Sequence, residues 1–132
     1  MTIPKGHSYV VGNPRSLTEL EIALLTAMLG NREALVPLLK ELSQAKVQAM
    51  NDGGMGSIRF IGEDPDRRKF GVVVREATFQ DTDGVPVLVS VMVDQSGALY
   101  ELDLWKVDFS PLKRIPNPDQ LLLDPPMRRI SN

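Results

Sequence analysis

Apolar residues near the start of the chain recur at the three- to four-residue spacing of an α-helix. The pattern begins at Thr18, which can cap the helix, and Glu21 completes a capping box three residues later. Gly30 is suited to end this helix, and the same spacing predicts a second helix over 31–42. Pro37 lies inside the second helix, where it removes a backbone donor, so we expect a kink or a later start there.

From residue 44 the apolar spacing shortens to two, which is the period of a β-strand. The predicted strands are 45–50, 57–61, 70–79, 85–93 and 98–107. Residues 44–51 are compatible with either a strand or a continued helix. Turns rich in Gly, Asp and Asn separate most of the strands, and turns this short join antiparallel neighbours. The sequence therefore predicts an α+β fold, with two N-terminal helices packed on a four- or five-stranded antiparallel β-meander.

Composition divides the chain into three parts. Residues 1–16 read as an N-terminal arm, 17–112 as the α+β domain, and 113–132 as a proline-rich C-terminal tail. The tail contains three consecutive leucines at 121–123. We expect it to lie over the sheet and to cover Trp105 and Met92, because large exposed apolar patches are uncommon on monomers.

Alternation assigns the side chains of the last two strands to two faces of the sheet. One face carries a row of valines, which we expect to pack under the helices: Val85, Val87, Val89, Val91 and Val93. The opposite face carries Met92 from one strand and Glu101, Asp103 and Trp105 from the next. This second face is therefore mixed in polarity, with Trp105 as its largest apolar group.

Composition excludes several kinds of chemistry. The 132-residue chain has no cysteine and one histidine, His7, which removes thiolate catalysis, cysteine zinc sites and multi-histidine metal sites. A net charge of −2 provides no basic field for nucleic acid. No apolar run is long enough to span a bilayer, and the N-terminus lacks the stretch of a signal peptide. We expect a cytoplasmic protein with no cofactor, nucleic acid or membrane partner.

Two local patterns invite a functional interpretation. The glycine-rich turn at 51–56 resembles a phosphate-binding loop, with Ser57 and Arg59 as further anion ligands, but strand-like alternation follows it and favours a hairpin. Glu101 and Asp103 are two apart on one strand, hence roughly 6.5–7 Å apart, near the carboxylate separation of glycosidases. A solvated strand face explains that pair more simply.

Two segments carry a family resemblance. Residues 47–58 read VQAMNDGGMGSI and residues 102–112 read LDLWKVDFSPL. Together with the helical opening at 17–21, they resemble a family of small bacterial proteins catalogued as a domain of unknown function. The resemblance covers most of 15–118 and implies no catalytic or binding residue.

The residues favour a non-enzymatic protein-binding module of an immunity or regulatory type. Its partner would be another protein or a second copy of this chain. The surface predicted for that partner has Trp105 at its centre, Met92 as an apolar neighbour, and a polar rim of Glu101, Asp103 and Lys106.

The alternative is a small-ligand-binding domain or a weak hydrolase. Its pocket would lie between the helices and the curved sheet, with Glu101, Asp103 and Arg59 as the polar groups. A ligand of that kind would stabilise the fold by mass action, which separates the two hypotheses by experiment.

Overall fold

The computed structural model describes residues 10–62 and 69–124. Seven antiparallel strands form one sheet: β1 Val10–Ser16, β2 Lys46–Met50, β3 Ile58–Phe60, β4 Phe70–Gln80, β5 Pro86–Asp94, β6 Leu99–Lys106 and β7 Leu122–Leu123. Their order across the sheet is β1-β2-β3-β6-β5-β4-β7. One α-helix, α1 (Glu19–Leu29), a long 3₁₀ helix (Glu33–Gln44) and a short 3₁₀ turn (Pro118–Gln120) complete the fold. The α+β class is confirmed.

The first helix begins as the sequence predicts. The Thr18 hydroxyl accepts a hydrogen bond from the Glu21 N–H at 3.1 Å, and the Glu21 carboxylate accepts one from the Thr18 N–H at 3.0 Å. Arg15 also donates to both carboxylate oxygens of Glu21, at 2.8 and 2.9 Å. Four apolar residues of α1 are buried: Leu24, Leu25, Met28 and Leu29. The capping box therefore fixes the end of a helix that supplies much of the core.

The second helix differs from the prediction. An α-helix was expected over 31–42, whereas the segment Glu33–Gln44 is wound as a 3₁₀ helix with Pro37 inside it. Proline has no N–H to donate and its ring clashes with the carbonyl four residues back in α geometry, which accounts for the tighter winding. Leu35 and Leu42 still point into the core.

The predicted count of four or five strands is wrong, since the sheet has seven. The two additional strands come from segments expected to lie outside the domain. Val10–Ser16 of the predicted arm pairs with β2, and Leu122–Leu123 of the predicted tail pairs with β4. Within 44–51, which the sequence left open between helix and strand, Gln44 ends the 3₁₀ helix and Lys46–Met50 form strand β2. His7 with the rest of 1–9, and the tail from 125, lie outside the described residues.

The sheet is also not a simple meander. Strands β4, β5 and β6 follow one another, but β6 then pairs with β3, through Ile58 opposite Leu102 and Arg59 opposite Glu101. This long-range pairing joins the early hairpin β2–β3 to the later meander. It brings the turn at 51–56 beside the end of β6.

The valine row faces the helices as expected. Val87, Val89, Val91 and Val93 are buried, and the inward side of β6 adds Leu102 and Leu104 to the same core. On one side Val89 pairs with Ala77 of β4, and on the opposite side it pairs with Leu104 of β6. This central position places Val89 in the middle of the sheet's buried face.

The opposite face of the sheet, here called the open face, has no helix packed on it among the described residues. The described part of the tail does not cover Trp105 as predicted, because β7 pairs with β4 at the sheet edge, and both β4 and β5 lie between it and β6. Leu121 and Leu123 instead pack at the margin of the core. None of the helices in the described part of the chain has the length and apolar character to cross a bilayer.

Candidate functional site

Three large apolar side chains lie exposed where β6 ends: Trp105, Val107 and Phe109. We call them the Trp105 patch. Trp105 is 44% exposed and Phe109 is 66% exposed. Their ring centroids are 6.1 Å apart, at an interplanar angle of 47°. Trp105 and Phe109 thus form one aromatic surface at a strand end and the turn after it, and the exposed Val107 lies between them in the chain.

The backbone at Phe109 adopts a conformation that side chains disfavour. Its φ is +65°, in the left-handed region where glycine and asparagine are the usual residues. The turn is closed by a hydrogen bond from the Phe109 N–H to the Lys106 carbonyl at 2.9 Å. Holding a bulky L-residue there costs roughly 1–2 kcal/mol. The fold therefore carries an aromatic residue where neither the backbone nor the core requires one.

Leu88, and not Met92, lies opposite Trp105. The β5–β6 register pairs Leu88 with Trp105 and Met92 with Glu101. Met92 is half-buried and four residues further along β5, so it belongs to the other end of the open face. The predicted pairing of Met92 with Trp105 is corrected by this register.

Asp103 lies two residues before Trp105 on the open face. The Ser57 hydroxyl lies 3.0 Å from Asp103 Oδ1, in position to donate, and accepts from the Leu104 N–H at 2.9 Å. Burial raises the pKa of Asp103, the Ser57 hydrogen bond opposes this, and the neighbouring Asp52 carboxylate raises the pKa further. Within the described residues no lysine or arginine forms an ion pair with Asp103.

Glu101 is not the solvated residue that the strand pattern favours. It is 8% exposed, and Arg59 donates to its carboxylate from both Nε, at 3.0 Å, and Nη2. Burial raises the pKa of Glu101, and the bond from Arg59 offsets this only in part. The Arg59 guanidinium also lies 5.0 Å from the centroid of the Tyr100 ring. Arg59 therefore binds an acid and an aromatic ring together.

Tyr100 reaches Arg59 because β6 contains a bulge. The register shifts between Met92 and Val93, so that Glu101 pairs with Met92 while Leu99 pairs with Val93. Simple alternation along β6 would place Tyr100 on the same side of the sheet as Leu102. A bulge places one extra residue against its partner strand and so reverses that assignment.

The predicted anion site at Ser57 and Arg59 is disfavoured by their partners. Ser57 is almost fully buried beside Asp103, and Arg59 is paired with Glu101. A bound anion would have to compete with these two carboxylates. Both residues instead order the acidic side chains of the open face.

The assignment of Lys106 to the polar rim is wrong. Its side chain is 0% exposed and points inward, as expected from its position two residues after Leu104. Its ammonium lies 2.8 Å from an Asp81 oxygen and 2.7 Å from an Asp83 oxygen, and it donates to the Pro111 carbonyl at 3.1 Å. Burial alone would lower the pKa of Lys106, but the two carboxylates outweigh it and the pKa is raised.

Asp81 and Asp83 perform two tasks in the turn between β4 and β5. Their carboxylates accept the backbone N–H groups of Thr82 and Val85, which is the turn chemistry expected of aspartate. They also bind Lys106. Burial would raise the pKa of Asp81, yet the hydrogen bonds from Lys106 and two backbone N–H groups lower it overall.

The two segments that carry the family resemblance lie against each other. The Leu112 N–H donates to the Gly54 carbonyl at 2.9 Å, and the Lys106 N–H lies 3.2 Å from the Met55 sulfur. A Cβ atom at Gly54 would come within 3.2 Å of the Pro111 side chain. The glycine turn thus supports the strand end and the turn that present the Trp105 patch.

The residues expected for the small-ligand alternative do not lie between the helices and the sheet. Arg59, Glu101 and Asp103 lie on the open face and not between the helices and the sheet. A cleft beside the end of the 3₁₀ helix is lined by other residues, including Glu41 and Phe60. No group of three or more metal-binding side chains occurs within 10–62 and 69–124.

Comparison with known proteins places the chain in a family but assigns no activity. No curated protein and no solved structure matches it. One family model matches residues 14–116, which is more than half of the chain and includes both contacting segments. The chain belongs to that family, the Domain of unknown function (DUF6984).

Proposed function

We propose that this chain is a non-enzymatic protein-binding domain, regulatory or immunity-type, that acts in the cytoplasm. Its binding surface is the Trp105 patch with the adjoining part of the open face, and its partner is another protein. The absence of cysteine suits a reducing compartment.

The observation that carries the proposal is Phe109. A side chain that is two-thirds exposed gains little from burial, and its positive φ adds a conformational cost. Backbone strain of this kind is typical of functional positions. A partner that buries Phe109 against Trp105 would supply the stabilisation that the isolated fold lacks.

The composition of the patch suits a protein interface. Tryptophan and phenylalanine bring a large contact area with few rotatable bonds, and tryptophan is enriched among the residues that dominate binding energy. Leu88, across the strand pair from Trp105, extends the apolar surface. The buried Lys106 and its two aspartates hold the strand end from below, so the patch is presented by a rigid support.

Three reactive groups of this region are already engaged by neighbouring residues, which supports a non-enzymatic role. Ser57 is buried between Asp103 and β6, and Lys106 is enclosed by two carboxylates. Glu101 is held by Arg59. A nucleophile or a general base needs access to a substrate atom, and none of these groups offers it.

The test is capture of a partner by the full chain with Trp105→Ala as the binding variant. Val72→Ala is the matched control, since Val72 is 54% exposed but lies on β4 away from β6. We expect one protein to be retained from the native host by the wild type and by Val72→Ala, and to be lost with Trp105→Ala. The melting temperature of Trp105→Ala should change by only a few degrees.

Two results would contradict the proposal. Retention of the same protein by Trp105→Ala would show that the patch is not the binding surface. A wild-type dimer in sedimentation that Trp105→Ala converts to a monomer would show that the surface serves a second copy of the chain.

A further inference from the structure

We propose that the partner presents an arginine or lysine side chain to Asp103 beside Trp105. This inference rests on the proposed function and names the chemistry of its partner. It makes Asp103 the specificity-determining residue of the surface, while the Trp105 patch supplies the apolar contact.

The same strand already contains a site where an acid and an aromatic ring bind a cation together. At Tyr100 and Glu101 an aromatic ring and a carboxylate receive one guanidinium, that of Arg59, 5.0 Å from the ring centroid and hydrogen-bonded to the acid. Asp103 and Trp105 repeat the pairing of an acid with an aromatic residue further along the same strand and on the same face. Here no cation of the described residues fills the site.

The negative charge of the Asp103 carboxylate is balanced by fewer positive groups than the charges of the neighbouring acids are. Glu101 is paired with Arg59, and Asp81 with Lys106. Asp103 accepts one hydrogen bond from a neutral hydroxyl, and Asp52, whose charge it feels, is bound to backbone N–H groups. A half-buried acid without a cation gains most from a basic group that approaches from outside.

Trp105 favours the same ligand. Residues two apart on a strand lie roughly 6.5–7 Å apart on one face, so a cation that binds between Asp103 and Trp105 can reach the ~6 Å range of a cation–π contact with the indole. The chain's acidity adds to this preference, since its net charge is −2. An acidic chain associates faster with a basic partner than with an acidic one.

Trp105 is the chain's single tryptophan, which makes its fluorescence a reporter of this site alone. The probe is a synthetic peptide, acetyl-Leu-Arg-Leu-Arg-Leu-amide, compared with the same peptide carrying neutral citrulline in place of arginine. We expect a saturable change in Trp105 emission with the arginine peptide, weakened by added salt, and at least about tenfold weaker binding of the citrulline peptide.

Asp103→Asn is the decisive variant, because it removes the charge and keeps the side-chain shape and an oxygen for Ser57. We expect it to bind the arginine peptide about as weakly as the wild type binds the citrulline peptide. Glu33→Gln is the matched control, since it makes the same change in net charge at an exposed position of the 3₁₀ helix. It should bind as the wild type does.

The outcomes separate this inference from the proposed function. Equal responses to the two peptides, no response to either, or an unchanged response of Asp103→Asn would overturn the inference. If the captured partner is also retained by Asp103→Asn but lost with Trp105→Ala, the binding surface stands and only its charge preference fails. If Trp105→Ala retains the partner, both proposals fail.

Discussion

Val89→Ala tests the assignment of the two sheet faces, on which every statement about the open face depends. Val89 is 0% exposed and lies between Ala77 and Leu104 in the centre of the sheet. If the valine row faces the helices, shortening this side chain must leave a cavity in the core. The matched substitution is Val73→Ala on β4, where the valine is 43% exposed and pairs with Met92 of the open face.

The magnitude follows from the burial. Alanine lacks two carbons of valine, so the loss of apolar burial is ~1.6 kcal/mol at ~0.8 kcal/mol per carbon. A residual cavity of ~40 Å³ adds about 1 kcal/mol at ~24 cal/mol per Å³. We therefore expect Val89→Ala to lower the free energy of unfolding by about 1.6–2.6 kcal/mol. Both variants lose strand propensity equally, and for Val73→Ala that loss is under about 1 kcal/mol.

The assay is unfolding in urea, followed by circular dichroism. With a urea dependence of about 1.5 kcal/mol per molar, the midpoint of Val89→Ala should fall by about 1–1.7 M. That of Val73→Ala should fall by less than about 0.7 M. Equal shifts for the two variants would refute the face assignment, because a register slip of one residue exchanges the two sides of a strand.

Three further predictions concern the supports of the surface. Lys106→Met should lower the urea midpoint, because the carboxylates of Asp81 and Asp83 lose the cation that they share. Adding Asp81→Asn to this variant should restore part of the lost stability. An unchanged midpoint for Lys106→Met would contradict the buried contact. Gly54→Ala should lower the melting temperature of the chain more than Gly53→Ala does. Both glycines have positive φ, but only a Cβ atom at Gly54 would come within 3.2 Å of a neighbouring side chain, that of Pro111. Equal melting temperatures for the two variants would argue against that packing. The raised pKa of Asp103 means that the folded chain holds this proton more tightly, so this carboxyl adds stability as pH falls through that pKa toward the ordinary value of 3.8, whereas the lowered pKa of Asp81 acts in the opposite direction. The urea midpoint of the wild type relative to that of Asp103→Asn should therefore rise from pH 7 to pH 4, and a constant difference would contradict the raised pKa.

Local features of the fold could be predicted from the sequence because they depend on residues close together in the chain. The Thr18 and Glu21 capping box needs only a spacing of three. The turns between β4, β5 and β6 follow from Asp and Gly at hairpin positions, and the buried valines follow from strict alternation. These features fixed the α+β class.

The number and order of strands could not be predicted in the same way. The pairing of β3 with β6 joins Arg59 to Glu101, 42 residues apart, and no local period encodes it. The edge strands β1 and β7 have weak patterns of their own: Val10–Ser16 contains a glycine and a proline, and Leu122–Leu123 has two residues. Their conformation comes from the neighbouring strand.

At the candidate site the sequence predicted which residues of β6 carry the surface, but it did not predict all of the residues that contact them. Trp105 and Asp103 share a face as alternation predicts, and the same alternation placed Lys106 inward, a signal that the rim assignment overlooked. The two aspartates that bind Lys106 lie 23 and 25 residues earlier, beyond any local pattern. Phe109 was missed because a positive φ at an aromatic residue has no sequence signature.

The most direct test of the Trp105 patch as a binding surface is Phe109→Gly, measured for both stability and partner capture. Glycine relieves a backbone cost of roughly 1–2 kcal/mol at φ +65°, which offsets its own flexibility and the lost ring contact with Trp105. We predict an unfolding midpoint equal to or above that of the wild type together with a loss of partner capture. A clear fall in the midpoint with capture retained would show that Phe109 serves the fold, and would contradict the account.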